Sequence, residues 1–228
     1  MDNKDLAELE QYRPQLPHLL DVFAYAREIE PSKRLEWAKY ERRNIYRDGW
    51  FINTPVGLRG DAETVEAHVQ HLKGLIQTYF PKDTREQADL YAENHDDHEI
   101  LAHAIINGVK RDLNPRFNQA AYNITLEDKE HIERIARRLL FEDDAELLDA
   151  LDAYPQSPEQ AAILFREFDK ICVMWRCADF VDSGDYSPRD FNAYWEYWTP
   201  KNVRKKCSDF TADIYEQDLW PRVLNFIE

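Results

Sequence analysis

A long helix is written into residues 157–181. Ser157-Pro158-Glu159-Gln160 has Ser at the N-cap, Pro at the first helical position and Gln at N3, a strong helix start. Ala161, Leu164, Phe165, Phe168, Ile171, Cys172 and Trp175 then recur at helical spacing, so the helix is expected to reach about Val181. A strand alternates its faces every second residue and cannot hold that stripe on one side. Such a stripe must be covered by other apolar faces. The rest of the chain provides them, because apolar periodicity elsewhere is also helical and there are only 6 glycines in 228 residues. The fold class is therefore all-α, and the length suits one large domain, or one domain with an appendage, with a full core.

Residues 1–15 read as a polar lead-in. Leu16 to Glu30 makes an amphipathic helix closed by Pro31, and Ser32 is placed to cap the next, which runs to about Tyr46. Asp61 to Phe80 carries the stripe Val65, Leu72, Leu75, Ile76 and Tyr79, with His68 inside it and His71 at its edge. Arg85 to about Asn107 reads as one helix. Thr125 and Asp128 form a capping box for Leu126 to Phe141, whose charged face is a solvated surface. A short acidic helix occupies 142–155. Ser187-Pro188-Arg189-Asp190 starts another helix, whose aromatics Phe191, Tyr194, Trp195, Tyr197 and Trp198 read as core. Ser208 to Ile227 closes the sequence, with Pro221 expected to kink it.

The net charge of −15 and pI near 4.9 oppose binding to nucleic acid or to an anionic membrane. A small phosphate ester remains compatible, through a local basic site or a metal. The odd set Cys172, Cys177 and Cys207 has no CxxC pair and reads as reduced thiols. No signal peptide and no membrane-length apolar run is visible, which points to a cytoplasmic protein. The aromatic C-terminal third allows a homodimer, and core packing accounts for the same residues.

The chemistry concentrates at Asn94-His95-Asp96-Asp97-His98-Glu99. On a helical plot His95 and Glu99 fall in the apolar face with Ala88, Tyr91, Ala92, Ala102 and Ile106, and Asp96 lies at its edge. A buried carboxylate costs several kcal/mol unless paired, protonated or bound to a cation. Adjacent His and Asp can offer one nitrogen and one oxygen to a divalent metal. In the helix that follows Pro158, Asp179 sits at the centre of the apolar stripe and Asp169 at its edge; either can add a carboxylate.

The order His68, then His95-Asp96, then a distant Asp resembles the HD superfamily of metal-dependent phosphohydrolases, nearest the small branch with bacterial 5′-deoxynucleotidases. Arg47-Asp48-Gly49-Trp50 ahead of Glu63–His68 resembles that branch's Arg/Trp element and first His. His95-Asp96-Asp97-His98-Glu99 matches its HDxxE, and Phe168-Asp169-Lys170-Ile171 resembles the run holding its last metal Asp. Ala67 stands where the branch has Glu, and Ile100-Leu101-Ala102-His103-Ala104 lacks its Gly-Asp pair.

The resemblance implies an HD-domain-like helical bundle over 35–198, an N-terminal helical lead-in over 1–34 and a C-terminal helix over 199–228. It implies one divalent transition metal (Mn, Co, Fe or Zn) held by His68, His95, Asp96 and Asp169. Glu99 would act as general acid/base, Arg47 and Arg59 would neutralise phosphate, and Trp50 would pack on a base or sugar. The activity implied is phosphate release from a small ester, foremost a (deoxy)nucleoside 5′-monophosphate. The alternatives are a silent nucleotide-binding module of the same fold, a di-iron oxygenase drawing on His98, His103 and His131, and a helical interaction protein with merely buried His and Asp.

Overall fold

The computed structural model describes residues 3–14, 17–44, 63–98, 101, 125–184 and 186–227. These residues are helical, joined by turns, with no strand among those described; the protein is all-α. The helices are α1 (Asn3–Glu10), α2 (Pro17–Glu28), α3 (Pro31–Glu41), α4 (Val65–Tyr79), α5 (Arg85–Asn94), α6 (Leu126–Leu140) and α7 (Ala145–Ala153). They are followed by α8 (Gln160–Asp182), α9 (Asn192–Tyr197), α10 (Pro200–Lys206), α11 (Asp209–Ile214) and α12 (Trp220–Ile227). Among the described residues, no helix is long and apolar enough to cross a membrane.

Two compact units divide the chain. The first takes α1 to α3, α4 up to Ala67, the turns from Asn94, and α6 and α7; the second takes α4 from His68, α5 up to Glu93, and α8 to α12.

In the first unit α6 begins as the sequence demands. Thr125 Oγ1 accepts from the Asp128 amide at 3.1 Å, and Asp128 accepts from the Thr125 amide at 2.8 Å. Together they satisfy two amides of the helix N-terminal region. The inner face of α6 buries Ile132, Ile135, Ala136, Leu139 and Leu140. Arg34 of α3, almost fully buried, donates to the carbonyls of Ala26, Arg27 and Ile29 at the end of α2. It also reaches the Leu139 carbonyl and the Glu142 carboxylate. One guanidinium therefore satisfies C-terminal carbonyls of two helices and stays paired while buried. Ser32 does not cap α3: Pro31 takes the first helical position, and Glu30 stands before it without a side-chain cap.

The second unit is built on α8, whose expected stripe is buried throughout, joined by Ala162, Met174, Cys177 and Ala178. The helix starts at Gln160, after Ser157 Oγ accepts from the Glu159 amide at 3.2 Å in a turn of its own. Phe168 stacks on Trp175 at 5.9 Å between centroids and meets Phe80 edge-on at 4.8 Å. Tyr91, Tyr154 and Phe165 form a second aromatic group. Glu167 anchors α11, accepting from the Ser208 amide at 2.7 Å, the Ser208 hydroxyl at 2.6 Å and the Thr211 hydroxyl. Of the aromatics at 191–198, Phe191, Tyr194 and Trp195 are core, but Tyr197 is 54% exposed, with the Lys206 ammonium 3.8 Å from its ring centre.

Pro221 reshapes the last helical stretch. It has no N–H for the carbonyl four residues back. The chain takes a π turn over Tyr215–Leu219, and the Trp220 amide bonds to the Tyr215 carbonyl, five residues earlier.

Candidate metal centre

The second unit brings His68 and Asp169 together. His68 lies on α4, three residues into the helix, and is 1% exposed. Its Nε2 is 3.1 Å from Asp169 Oδ1 on α8, 101 positions further along the chain. The Asp169 side chain is 32% exposed, so the pair is open on the carboxylate side. Cys172, one turn further along α8, places Sγ 3.8 Å from the other imidazole nitrogen, Nδ1. The thiol donates to the Asp169 carbonyl at 3.0 Å. Donor atoms of His68, Asp169 and Cys172 all lie within 4.8 Å of one another.

Asp179 is placed elsewhere. It accepts from Arg222 Nη2 at 2.7 Å, and Arg222 also holds Asp182. Of the two carboxylates that helical periodicity leaves open, Asp169 faces His68 and Asp179 belongs to an ion pair with α12.

The first unit holds the His-Asp dipeptide. The helix expected to run from Arg85 to about Asn107 ends at Asn94, and residues 95–98 are turns. The Asp97 amide bonds to the Asn94 carbonyl at 3.4 Å. Short polar side chains compete with the backbone for helical hydrogen bonds, and here they stand in succession from Asn94 to Asp97. The turn is nevertheless buried, with His95, Asp96, Asp97 and His98 all shielded from solvent. His95 Nε2 lies 3.2 Å from Asp96 Oδ2, and His98 Nε2 lies 3.8 Å from Glu133. Arg42 Nη1 donates to Asp97 Oδ1 at 2.9 Å, and Arg42 Nε donates to Glu66. The Glu66 amide in turn bonds to the Arg42 carbonyl at 3.2 Å. Arg42 thus ties the end of α3 to the start of α4 and to the turn after α5.

Glu99, Arg47, Trp50 and Arg59 lie outside the described residues. Two residues of weight were not marked as site residues in the sequence. Cys172 reads as one of the apolar stripe, although Asp169-x-x-Cys172 sets both on one helix face. Arg42 lies in an ordinary Arg-Arg pair, and its partners are far away in sequence.

The donor chemistry suits a transition metal. Metal–nitrogen and metal–oxygen bonds of about 2.0–2.2 Å put neighbouring ligand atoms ~3 Å apart in tetrahedral or octahedral sites. The His68–Asp169 separation of 3.1 Å is of that size. Imidazole with carboxylate selects Zn²⁺, Fe²⁺, Co²⁺ or Mn²⁺ over the all-oxygen preference of Ca²⁺. Comparison with protein-family models, curated proteins and solved structures finds no match.

Proposed function

We propose that the chain is an HD-type phosphohydrolase that uses one divalent transition metal to release phosphate from a small ester. A (deoxy)nucleoside 5′-monophosphate is the foremost substrate. One observation carries the reading: His68 Nε2 meets Asp169 Oδ1 at 3.1 Å, a pairing the HD pattern requires of its first and last ligands. The burial of His95 and Asp96 adds support, because a buried carboxylate beside a histidine suits a cation.

By the resemblance, the ligands are His68, His95, Asp96 and Asp169. When bound, the cation would supply Lewis acidity, polarising the phosphoryl group and lowering the pKa of bound water toward neutrality. The Glu99 carboxylate takes a proton from the attacking water as its oxygen bonds to phosphorus. The ester P–O bond breaks, and Glu99 returns the proton to the leaving alcohol. Arg47 and Arg59 would neutralise the phosphate oxygens, and Trp50 would pack against the sugar or base.

The test is metal content, followed by phosphate release from a nucleotide panel with Mn²⁺ or Co²⁺. About one metal per chain is expected, with turnover lost in Asp96→Ala. Metal-dependent turnover retained in Asp96→Ala would sink the assignment. Nucleotide binding without phosphate release would replace it with the silent binding module.

A further inference from the structure

Three side chains of the second unit converge from two helices. His68 comes from α4, and Asp169 and Cys172 stand three residues apart on one face of α8. One imidazole nitrogen, one carboxylate oxygen and the sulfur lie within 4.8 Å of one another. Metal bonds of about 2.0–2.2 Å to nitrogen or oxygen and ~2.3 Å to sulfur put neighbouring donor atoms ~3–3.6 Å apart. Two separations in the cluster are already near that size: 3.1 Å from His68 Nε2 to Asp169 Oδ1, and 3.8 Å between Cys172 Sγ and His68 Nδ1. A cation takes one ring nitrogen, so the donors must close in around it. The Asp169 side chain, 32% exposed, has room to turn toward a cation held beside the sulfur. The thiol donates to the Asp169 carbonyl at 3.0 Å, a bond within its own helix. A cation on the sulfur would replace that hydrogen, and the proton would pass to solvent.

We infer that Cys172 is a direct metal ligand, which with His68 and Asp169 forms a nitrogen, oxygen and sulfur site selecting Zn²⁺, Fe²⁺ or Co²⁺ over Mn²⁺ and Mg²⁺. Thiolate is a soft donor and suits the first group, whereas the second prefers oxygen. The His, His-Asp and Asp pattern contains no sulfur, and so leaves Mn²⁺ as eligible as Zn²⁺. A buried cysteine on an apolar stripe ordinarily serves as a small packing residue. Here its sulfur meets an imidazole and a carboxylate from the same cluster, and all three donors belong to one compact unit. The inference rests on the reading of His68 and Asp169 as metal ligands, and is independent of phosphate release.

The experiment uses the full chain with Co²⁺, Zn²⁺ or Mn²⁺ alone, without nucleotide. The Co²⁺ form of the wild type is expected to show a sulfur-to-cobalt charge-transfer band that is absent from Cys172→Ala and Cys172→Ser. Competition with a chelating dye gives the Zn²⁺ and Mn²⁺ affinities, and thermal unfolding without metal confirms that the proteins are equally folded. Loss of a ligand is expected to weaken Zn²⁺ binding beyond the ~10–100-fold typical of losing a supporting partner, with a much smaller effect on Mn²⁺. Serine is not expected to restore Zn²⁺ affinity, because the thiolate is the ligand and a hydroxyl does not ionise in its place. A sulfur that only packs or hydrogen-bonds would be replaced by serine. Should a Cys172 variant fail to fold, a band retained in Cys177→Ala and in Cys207→Ala assigns it to Cys172 by elimination. A wild-type Co²⁺ form without the band, or Zn²⁺ affinity unchanged in Cys172→Ala or restored in Cys172→Ser, would overturn the inference and leave the nitrogen and oxygen ligands standing. A wild type that binds none of the metals would overturn it together with the metal-site reading. The band without phosphate release from any nucleotide would uphold the inference and sink the hydrolase reading alone.

Discussion

Arg42 and Asp97 form a buried ion pair, Nη1 to Oδ1 at 2.9 Å, with the Asp97 side chain wholly shielded from solvent. Asp97 directly follows Asp96, so the pair fixes the turn that presents the His-Asp dipeptide. Removing one member of a buried pair costs about 3–5 kcal/mol, because the other charge stays behind without its counter-ion. Arg42→Met is expected to lose stability of that order in urea unfolding, and it also removes the bond to Glu66. Arg42→Lys keeps the charge but not the fork that serves both carboxylates, so it is expected to recover only part of the loss. A loss below ~1 kcal/mol in Arg42→Met, the range of exposed pairs, would show that the pair is solvated.

Asp169 and Asp179 lie on the same helix and face different partners. Asp169→Asn is expected to abolish tight Co²⁺ binding, because it removes the carboxylate facing His68. Asp179→Asn removes a partner of Arg222 whose own side chain is 43% exposed. Its expected cost is under ~1 kcal/mol of stability, with Co²⁺ binding unchanged. The opposite pattern in a Co²⁺ titration would transfer the ligand role to Asp179.

What the sequence revealed follows the range of the interaction. The Thr125–Asp128 box lies within four consecutive residues, and the buried stripe of α8 repeats within one helix; both were legible. The end of α5 was not, because His95 falls on the apolar face of a helix that stops at Asn94. The Asp97 side chain is held by Arg42, which lies 55 residues away in the chain. Periodicity describes residues that share a helix and is silent about such a partner. Cys172 was hidden differently: a thiol counts as apolar by type, and its nearness to His68 comes from another helix. Tyr197 shows the converse, an aromatic in phase with the core that meets Lys206 at the surface.

Asp128 makes part of the stability of the first unit pH-dependent. Its carboxyl is held below its ordinary value of 3.8, chiefly by the Thr125 amide and further by the Thr125 and Tyr12 hydroxyls. Tyr12 is correspondingly pushed up to about 12, by burial first and then by the Asp128 hydrogen bond. A carboxyl with a lowered folded value binds its proton more readily when unfolded. Its contribution is full above the unfolded value and is lost as pH falls through the folded one. Asp128→Asn is therefore expected to be less stable than the wild type at pH 7, with the gap closing as pH drops below about 3.8. Paired urea unfolding curves at pH 7 and at the lowest pH where both remain folded decide the matter. A gap that widens on acidification would contradict the sign.

Two glycines should respond to alanine in opposite directions. Gly184 follows the end of α8 at φ +80°, and its amide bonds to the Val181 carbonyl at 3.0 Å. This is the left-handed position past a helix C-terminus, where a Cβ is strained even in open space. Gly184→Ala is expected to cost ~1 kcal/mol. Gly74 sits inside α4 on an exposed face, and an added Cβ would meet nothing within 4 Å. Gly74→Ala limits the freedom of the unfolded chain without disturbing any neighbour, and should stabilise by ~0.5–1 kcal/mol. Thr78 donates to the Gly74 carbonyl at 2.8 Å, a bond the methyl group leaves in place. Thermal unfolding of the two variants gives the answer directly. Destabilisation by Gly74→Ala would mean that this face of α4 is covered in the folded protein.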